Sequence, residues 1–262
     1  MQHHLDPLET LIEPKRHFIS DIVNTALVHI ISGNRRGSDI PDEVALRFDQ
    51  GFERVKVMLH GQNLAFDRQL CQRVTKRFER VAIDAHWNFT TATDALRYLR
   101  PLDDLGLEFI EDPFAASDWR MTHAVAEQLK TPIAAGEDVY GLQAIDTLTR
   151  GISILRVDAT TYGGITGALE ATAIAAAAGK TVFPHVFAEL HTHLACATPG
   201  VDCVEIIPDD VGADPLHHVL DQLPHLVDGR IRPSDQPGVG VQIAWDRAAQ
   251  FTTQSQTLEA TS

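Results

Sequence analysis

The chain has 262 residues, 44% of them hydrophobic, and a formal net charge of −14. This length suits one large domain or a single α/β barrel, for which about 250 residues is typical. The acidic balance argues against nucleic acid and anionic membranes as partners, because both would repel the protein surface.

Eight short segments rich in β-branched residues are predicted to be strands. Most are apolar throughout, which is typical of strands that are buried on both faces. In chain order they are ALVHIIS (26–32), VKVML (55–59), VAID (81–84), LEFIE (107–111), PIAAGE (132–137), SILRVD (153–158), TVFPH (181–185) and VDCVE (201–205). Helical patterns lie between most of them. The alternation predicts an α/β fold, a TIM-like (β/α) barrel of about eight, or seven plus one, parallel strands, with a doubly wound open sheet as the alternative.

The two ends of the chain do not fit this repeat. Residues 1–25 are too short for a domain and are predicted to be a short N-terminal leader or remnant, while residues 26–235 form the barrel domain. Residues 236–262 are predicted to hold one more strand, VGVQIAW (239–245), and a disordered tail. The start of the chain lacks the regions of a signal peptide and no apolar run is long enough to span a bilayer, so we expect a cytoplasmic protein.

Three acidic residues each end an apolar strand in successive units: Asp84, Glu111 and Glu137. The C-terminal ends of parallel barrel strands meet at one mouth, where these carboxylates would repel each other without a cation. Such hard oxygen ligands suit Mg²⁺, or alternatively Mn²⁺. The sequence therefore predicts a divalent metal site. Any one of these acids alone would more simply be a helix cap or a solvated loop residue.

Six motifs in order resemble the enolase superfamily. They are VAIDAHW, EFIEDP, AAGED, LRVDATTYGGITGALEATAIAAAAGK, FPHVFAELHTHLACATP and DCVE, between about Val55 and Glu205, and PGVG near the tail also matches. The similarity is strongest to the C-terminal barrel of the mandelate racemase and muconate lactonizing enzyme family, in its mandelate racemase subgroup, with features of acid-sugar dehydratases.

The resemblance implies roles for particular residues. It implies Asp84, Glu111 and Glu137 as metal ligands and His185 paired with Asp158 as a catalytic dyad. The dyad also makes chemical sense, because a carboxylate that orients a histidine stabilises the imidazolium formed when it acts as a base. Glu205 is implied to hydrogen-bond the substrate carboxylate, although its position alone fits a surface acid equally well. His191 and His193, two apart on a helix, are interpreted as structural.

Two positions near the strand ends narrow the expected chemistry. Members that use a lysine base carry Lys-x-Lys after the second strand, but here the segment reads Lys56-Val57-Met58. Met58 cannot take a proton, which disfavours a racemase with two opposed bases, whereas Lys56 is expected to touch the substrate carboxylate. Asp84 is followed by His86, as in the galactonate and mannonate dehydratases, where that histidine is a general acid; the alternative is a histidine that only hydrogen-bonds a loop.

The resulting hypothesis is a lyase that dehydrates a small sugar acid to a 2-keto-3-deoxy acid. A racemase or epimerase of a 2-hydroxy acid is the first alternative, and an inactive metal-binding barrel is the second. The resemblance implies a homo-oligomer. It also implies an N-terminal capping domain that closes the active site, for which residues 1–25 are too few, so we expect a truncated chain or another cover over the mouth.

Overall fold

The computed structural model describes residues 24–30, 40–208, 214–223 and 226–254. Each of the eight predicted strands is present, and two further short strands follow. The strands are β1 (Asn24–Ile30), β2 (Arg54–Met58), β3 (Arg80–Asp84), β4 (Ile110–Glu111), β5 (Ile133–Ala135), β6 (Ile154–Val157), β7 (Thr181–Pro184), β8 (Cys203–Ile206), β9 (Leu226–Val227) and β10 (Arg230–Ile231).

A helix follows each of the first seven strands. The helices are α1 (Ile40–Asp49), α2 (Leu64–Val74), α3 (Ala92–Asp103), α4 (Trp119–Ala126), α5 (Leu142–Thr149), α6 (Ile165–Ala177), α7 (Ala188–Ala197) and α8 (Trp245–Ala248). Polar side chains cap the N-termini of two helices. Asn63 accepts a hydrogen bond from the Phe66 amide at α2, and Thr91 accepts one from the Asp94 amide at α3. Within the described ranges, none of the helices is long and apolar enough to cross a membrane.

The parallel strands close into a barrel. β1 to β7 pair in chain order, and β8 pairs with β1 in parallel. Val182 of β7 forms a parallel bridge with Val201, just before β8, and the Asp202 amide donates to the Val182 carbonyl at 3.2 Å. The predicted TIM-like barrel is therefore confirmed, and the doubly wound open sheet is excluded.

The barrel interior has an apolar layer at its N-terminal end. A buried cluster separate from the core under the helices fills it: Ala82, Phe109, Ala134, Ile154, Phe183 and Cys203. Side chains two positions apart in a strand share a face. The residue two positions after a member of this cluster therefore also points into the barrel, toward its C-terminal mouth, and on several strands that residue is charged.

The C-terminal segment differs from the prediction. The predicted strand over 239–245 is wrong, because these residues form only a single antiparallel bridge, between Leu220 and Ile243, and helix α8 begins at Trp245. β9 and β10 instead form a small hairpin whose second strand pairs antiparallel with Asn24 and Thr25 of β1. The predicted tail falls largely in residues 255–262, and the predicted leader largely in residues 1–23, both outside the described ranges.

Candidate active site and metal centre

Strand register places Asp84 and Glu111 side by side at the mouth, and Glu137 lies two residues beyond the end of β5. Met58 pairs with Asp84, Asp84 with Glu111, and Glu111 with Ala134, so β2 to β5 end at the same height. Ala82 and Asp84, Phe109 and Glu111, and Cys203 and Glu205 are pairs on one face. The charged layer of the site therefore lies directly above the apolar layer.

Lys56 lies in the middle of this charged layer and is fully buried. Its Nζ is 2.8 Å from Glu111 Oε2 and 2.7 Å from Glu205 Oε1. Asp84 Oδ2 is a more distant partner at 3.4 Å. Burial opposes the ammonium charge, but Glu111 and Glu205 outweigh it and raise the pKa of Lys56. Lys56 is a fixed cation here and not a base.

Arg156 is a second buried cation, which the sequence reasoning missed. Its Nε donates to Glu111 Oε1 at 2.8 Å, and its guanidinium also forms a very short ion pair with Glu205. Its position in the sequence was a usable signal, because it lies between Ile154 and Asp158 on the inward face of an otherwise apolar strand. Burial raises the pKa of Glu111, but Arg156 and Lys56 outweigh burial and lower it to about 2.

Glu111, Asp112 and Glu137 form a cluster that could hold a metal ion. Each offers one carboxylate oxygen, and these oxygens lie within 4.8 Å of one another. Burial, together with Glu111 and Asp112, raises the pKa of Glu137 to about 11. Among the described residues, no hydrogen-bond donor reaches the buried Oε2 of Glu137, and Arg156 Nε lies 3.7 Å away. Hard oxygen donors, mutual repulsion and an unsatisfied buried oxygen all fit a divalent cation such as Mg²⁺.

Asp112 joins this cluster where the sequence predicted Asp84. Asp112 has a φ of 41°, a left-handed conformation just after β4, and is buried beside Glu111. Burial and the Glu111 and Asp84 carboxylates raise the pKa of Asp112 well above its ordinary range. Asp84 is also buried; its Oδ1 accepts the His86 amide at 2.8 Å and its Oδ2 faces Lys56. Its predicted role as a ligand stays a prediction.

His185 and Asp158 lie together as the sequence predicted. His185 Nδ1 is 2.9 Å from Asp158 Oδ2, while the amide and the hydroxyl of Thr160 both donate to Asp158 Oδ1 at 2.7 Å. Burial opposes ionisation of Asp158, but the hydrogen bonds from His185 and Thr160 lower its pKa. His185 Nε2 is 3.6 Å from Glu137 Oε1, so this nitrogen of the imidazole faces the acidic cluster.

Glu205 is fully buried on β8 and is not the surface acid that its position allowed. Besides Lys56 and Arg156, it accepts the Val186 amide at 3.2 Å. A cavity of about 180 Å³ opens beside it, lined in part by Val186, Phe187 and Glu189. Glu205 therefore lies between the charged layer and the wall of this cavity, which Leu226 and Ile231 of the β9–β10 hairpin also line.

His86 is the most exposed of the predicted catalytic residues. Its side chain is exposed, and its ring stacks on Trp87 with centroids 4.9 Å apart. Within residues 40–208, no hydrogen bond or ion pair joins its imidazole to the dyad or to the acidic cluster. His86 and Trp87 both have positive φ, at 42° and 58°. A general-acid role for His86 stays a prediction.

Comparisons with known proteins add to this geometry. The model of the family described as enolase C-terminal domain-like matches residues 39–247. The L-talarate/galactarate dehydratase of Salmonella typhimurium is 30% identical over 172 residues, 65% of this chain and 41% of that enzyme. The L-Ala-D/L-Glu epimerase of Bacillus subtilis is 30% identical over 150 residues, 53% of this chain and 41% of the epimerase.

The solved structures agree on the fold. The crystal structure of L-talarate dehydratase from Polaromonas sp. JS666, complexed with Mg and L-glucarate, matches with a TM-score of 0.76 at 24% identity. The match covers 89% of this chain and 66% of that one. The chain spans about half the length of the curated relatives it matches.

Proposed function

Because this chain belongs to the enolase C-terminal domain-like family, we propose that it is an acid-sugar dehydratase that acts on a 2,3-dihydroxy carboxylate such as an aldonate. The observation that carries this proposal is the His185–Asp158 pair, whose open Nε2 lies 3.6 Å from Glu137. A proton acceptor next to a carboxylate cluster suits removal of a proton from the carbon beside a carboxylate.

The residues that would hold the metal are Glu111 and Glu137, with Asp84 or Asp112 as the third. When bound, Mg²⁺ supplies a Lewis acid that stabilises negative charge on the substrate carboxylate. Support for Mg²⁺ comes from the oxygen donors and from the talarate dehydratase of Polaromonas, whose structure holds Mg with L-glucarate. Mn²⁺ would suit the same donors.

The protein residues carry the proton transfers. His185 Nε2 accepts the α-proton, while Nδ1–H stays hydrogen-bonded to Asp158, whose charge stabilises the imidazolium. The electron pair of the broken C–H bond forms the enediolate, and the cation of Lys56 stabilises it electrostatically. Glu205, the ion-pair partner of Lys56 and Arg156, would hydrogen-bond the substrate carboxylate only as the protonated acid, because two carboxylates repel each other.

Dehydration is completed when the C3–O bond breaks. The departing hydroxide takes a proton from His86 or from the imidazolium of His185 and leaves as one water molecule. The remaining enol tautomerises to a 2-keto-3-deoxy acid. Because His86 is exposed beside Trp87, protonation by His86 would require its ring to turn toward the mouth. Protonation by His185 needs no such movement.

A second candidate function is racemisation or epimerisation of a 2-hydroxy acid. The similarity to the Bacillus epimerase favours it. The residue identities oppose it, because inversion needs a second base on the opposite face, and Met58 stands where a lysine base would be. A third candidate is a barrel that binds metal without turning over a substrate.

One experiment separates the three functions. The purified protein is incubated with Mg²⁺ and a panel of aldonates and aldarates in D₂O, and keto acid and α-deuterium are both measured. A dehydratase gives keto acid, a racemase gives deuterium without loss of water, and an inactive barrel gives neither although it binds Mg²⁺ in calorimetry. His185→Gln should abolish turnover, while His218→Gln, at an exposed histidine, should not. Keto acid from none of the acids would overturn the proposal.

A further inference from the structure

Helix α7 carries a fully buried histidine, His191, whose two ring nitrogens both bond to backbone. Nε2 is 3.0 Å from the Ala159 amide nitrogen, and Nδ1 is 2.7 Å from the Val186 carbonyl oxygen. An amide can only donate and a carbonyl can only accept, so Nδ1 carries the hydrogen and the ring is neutral. Burial lowers the pKa of His191, which agrees with this tautomer.

The two backbone groups that His191 contacts are the immediate neighbours of the dyad. Ala159 follows Asp158 at the end of β6, and Val186 follows His185 at the end of β7. A single imidazole therefore bridges the exits of two adjacent strands. The 2.9 Å bond between His185 and Asp158 lies across the same gap.

The chain after His185 needs this support because its backbone is strained. Val186 has a φ of 36° and Phe187 a φ of 42°. A β-branched residue rarely adopts the left-handed region, and such a conformation persists only where surrounding contacts enforce it. Here the Val186 amide donates to Glu205 and the Val186 carbonyl accepts from His191, so the strained residue is held on both sides.

We propose that His191 is a positioning residue for the His185–Asp158 dyad. It holds the left-handed turn at Val186 and the start of the loop at Ala159, and thereby fixes the direction of the His185 ring. Its importance for catalysis rests on the proposed function, whereas its effect on the geometry of the dyad does not.

The test compares crystal structures of the full chain with His191→Phe and with a matched control, His193→Phe. His193 is buried on the same helix but contacts the Val239 carbonyl at 3.1 Å, away from the dyad. His191→Phe should let Val186 relax to negative φ and break the bond between His185 and Asp158, while His193→Phe should leave both intact. An unchanged dyad in His191→Phe, or equal disruption in His193→Phe, would overturn the proposal.

Two further measurements guard against a variant that fails to fold. His191→Gln keeps one donor and one acceptor, and should retain more of the dyad geometry than His191→Phe. In the unmodified protein, ¹⁵N NMR of labelled histidine should show His191 protonated at Nδ1 and unprotonated at Nε2. A hydrogen on Nε2 would contradict the bond to the Ala159 amide and overturn the proposal without any variant.

Kinetics then separate this proposal from the proposed function. If the enzyme exchanges the α-proton, His191→Phe should lower kcat by about 100-fold, the order expected when a catalytic group is misplaced by about 1 Å, with little change in KM. If it exchanges no proton but the dyad separates only in His191→Phe, the positioning role stands and the proposed function fails.

Discussion

Lys56 and Arg156 are fully buried cations that share the carboxylates of Glu111 and Glu205. The four groups carry two positive and two negative charges, so they balance within the barrel. Glu137 and Asp112, whose pKa values are raised, are left without an equivalent cation. Glu111 therefore belongs both to this balanced group and to the acidic cluster, in which Glu137 and Asp112 carry the negative charge that a metal ion would neutralise.

Replacing Arg156 by Met tests how much this buried charge balance stabilises the fold. Because the change leaves two buried carboxylates short of a partner, we expect a loss of about 3–5 kcal/mol in the free energy of unfolding, measured in urea. The exposed pair of Arg150 and Asp146 provides the control, and Arg150→Met should cost less than about 1 kcal/mol. Similar losses for the two variants would contradict the assignment.

Replacing Glu137 by Gln tests whether the acidic cluster is a metal site. Burial, Glu111 and Asp112 all disfavour a charge at residue 137, so a neutral Gln should leave the metal-free protein at least as stable as the parent in chemical denaturation. The same variant should lose Mg²⁺ binding in calorimetry. Asp138→Asn, at the exposed neighbouring residue, should change neither property. A destabilised Glu137→Gln that still binds Mg²⁺ would show that Glu137 is a structural residue.

The sequence predicted most of the residues that meet at the mouth, because each ends an apolar strand. It missed Asp112 and Arg156 for different physical reasons. Asp112 enters the cluster through a left-handed turn, which the sequence does not reveal at a non-glycine residue. Arg156 lies within a mostly apolar strand, and its inward position follows only from the alternation of side chains along that strand. The exposed position of His86 could not be predicted, since it depends on stacking with Trp87.

At the scale of the elements, the loop after β2 is held by a carboxylate on the following helix. Asp67 of α2 is fully buried and accepts the His60 and Gly61 amides, each at 2.9 Å. Tyr98 of α3 donates to the same carboxylate at 2.6 Å. Two consecutive βα units are thereby joined next to the strand that carries Lys56.

Tyr98→Phe tests this link. A hydrogen bond to a charged group contributes about 1.5–3 kcal/mol, and we expect a loss of that size in the free energy of unfolding. Tyr140→Phe is the matched control, because Tyr140 is 83% exposed and its hydroxyl can bond to water. Equal stabilities of the two variants in urea would show that Asp67 holds the loop without help from α3.

Elements inside the repeat were more predictable than those outside it. The eight strands are apolar runs bounded by helices, and the packing of a closed barrel enforces this pattern. The segment VGVQIAW has a similar composition but only one bridging partner, Leu220, so its β propensity has no sheet to join. Composition predicts a strand only where the tertiary structure supplies a neighbour.

At the scale of the whole molecule, a net charge of −14 makes any cation a general stabiliser through screening. Specific binding of Mg²⁺ to the folded barrel adds a separate effect, about 2.7 kcal/mol when Mg²⁺ is at 100 times its Kd. For a domain of this size, 1 kcal/mol raises Tm by about 2–4 °C, so we expect an increase of about 5–10 °C. Calorimetric melting with Mg²⁺ and with EDTA measures it.

The two effects separate by comparison with sodium chloride at the same ionic strength. Screening should raise Tm equally with either salt. It should also act equally on the parent and on Glu137→Gln, because it depends on the total charge of the protein and a single substitution changes that total little. Site binding should appear only with Mg²⁺ and only in the parent, because it needs the carboxylate of Glu137 beside Glu111 and Asp112. If sodium chloride reproduces the whole increase, the cluster does not bind Mg²⁺, and the barrel is held instead by its internal cations, Lys56 and Arg156.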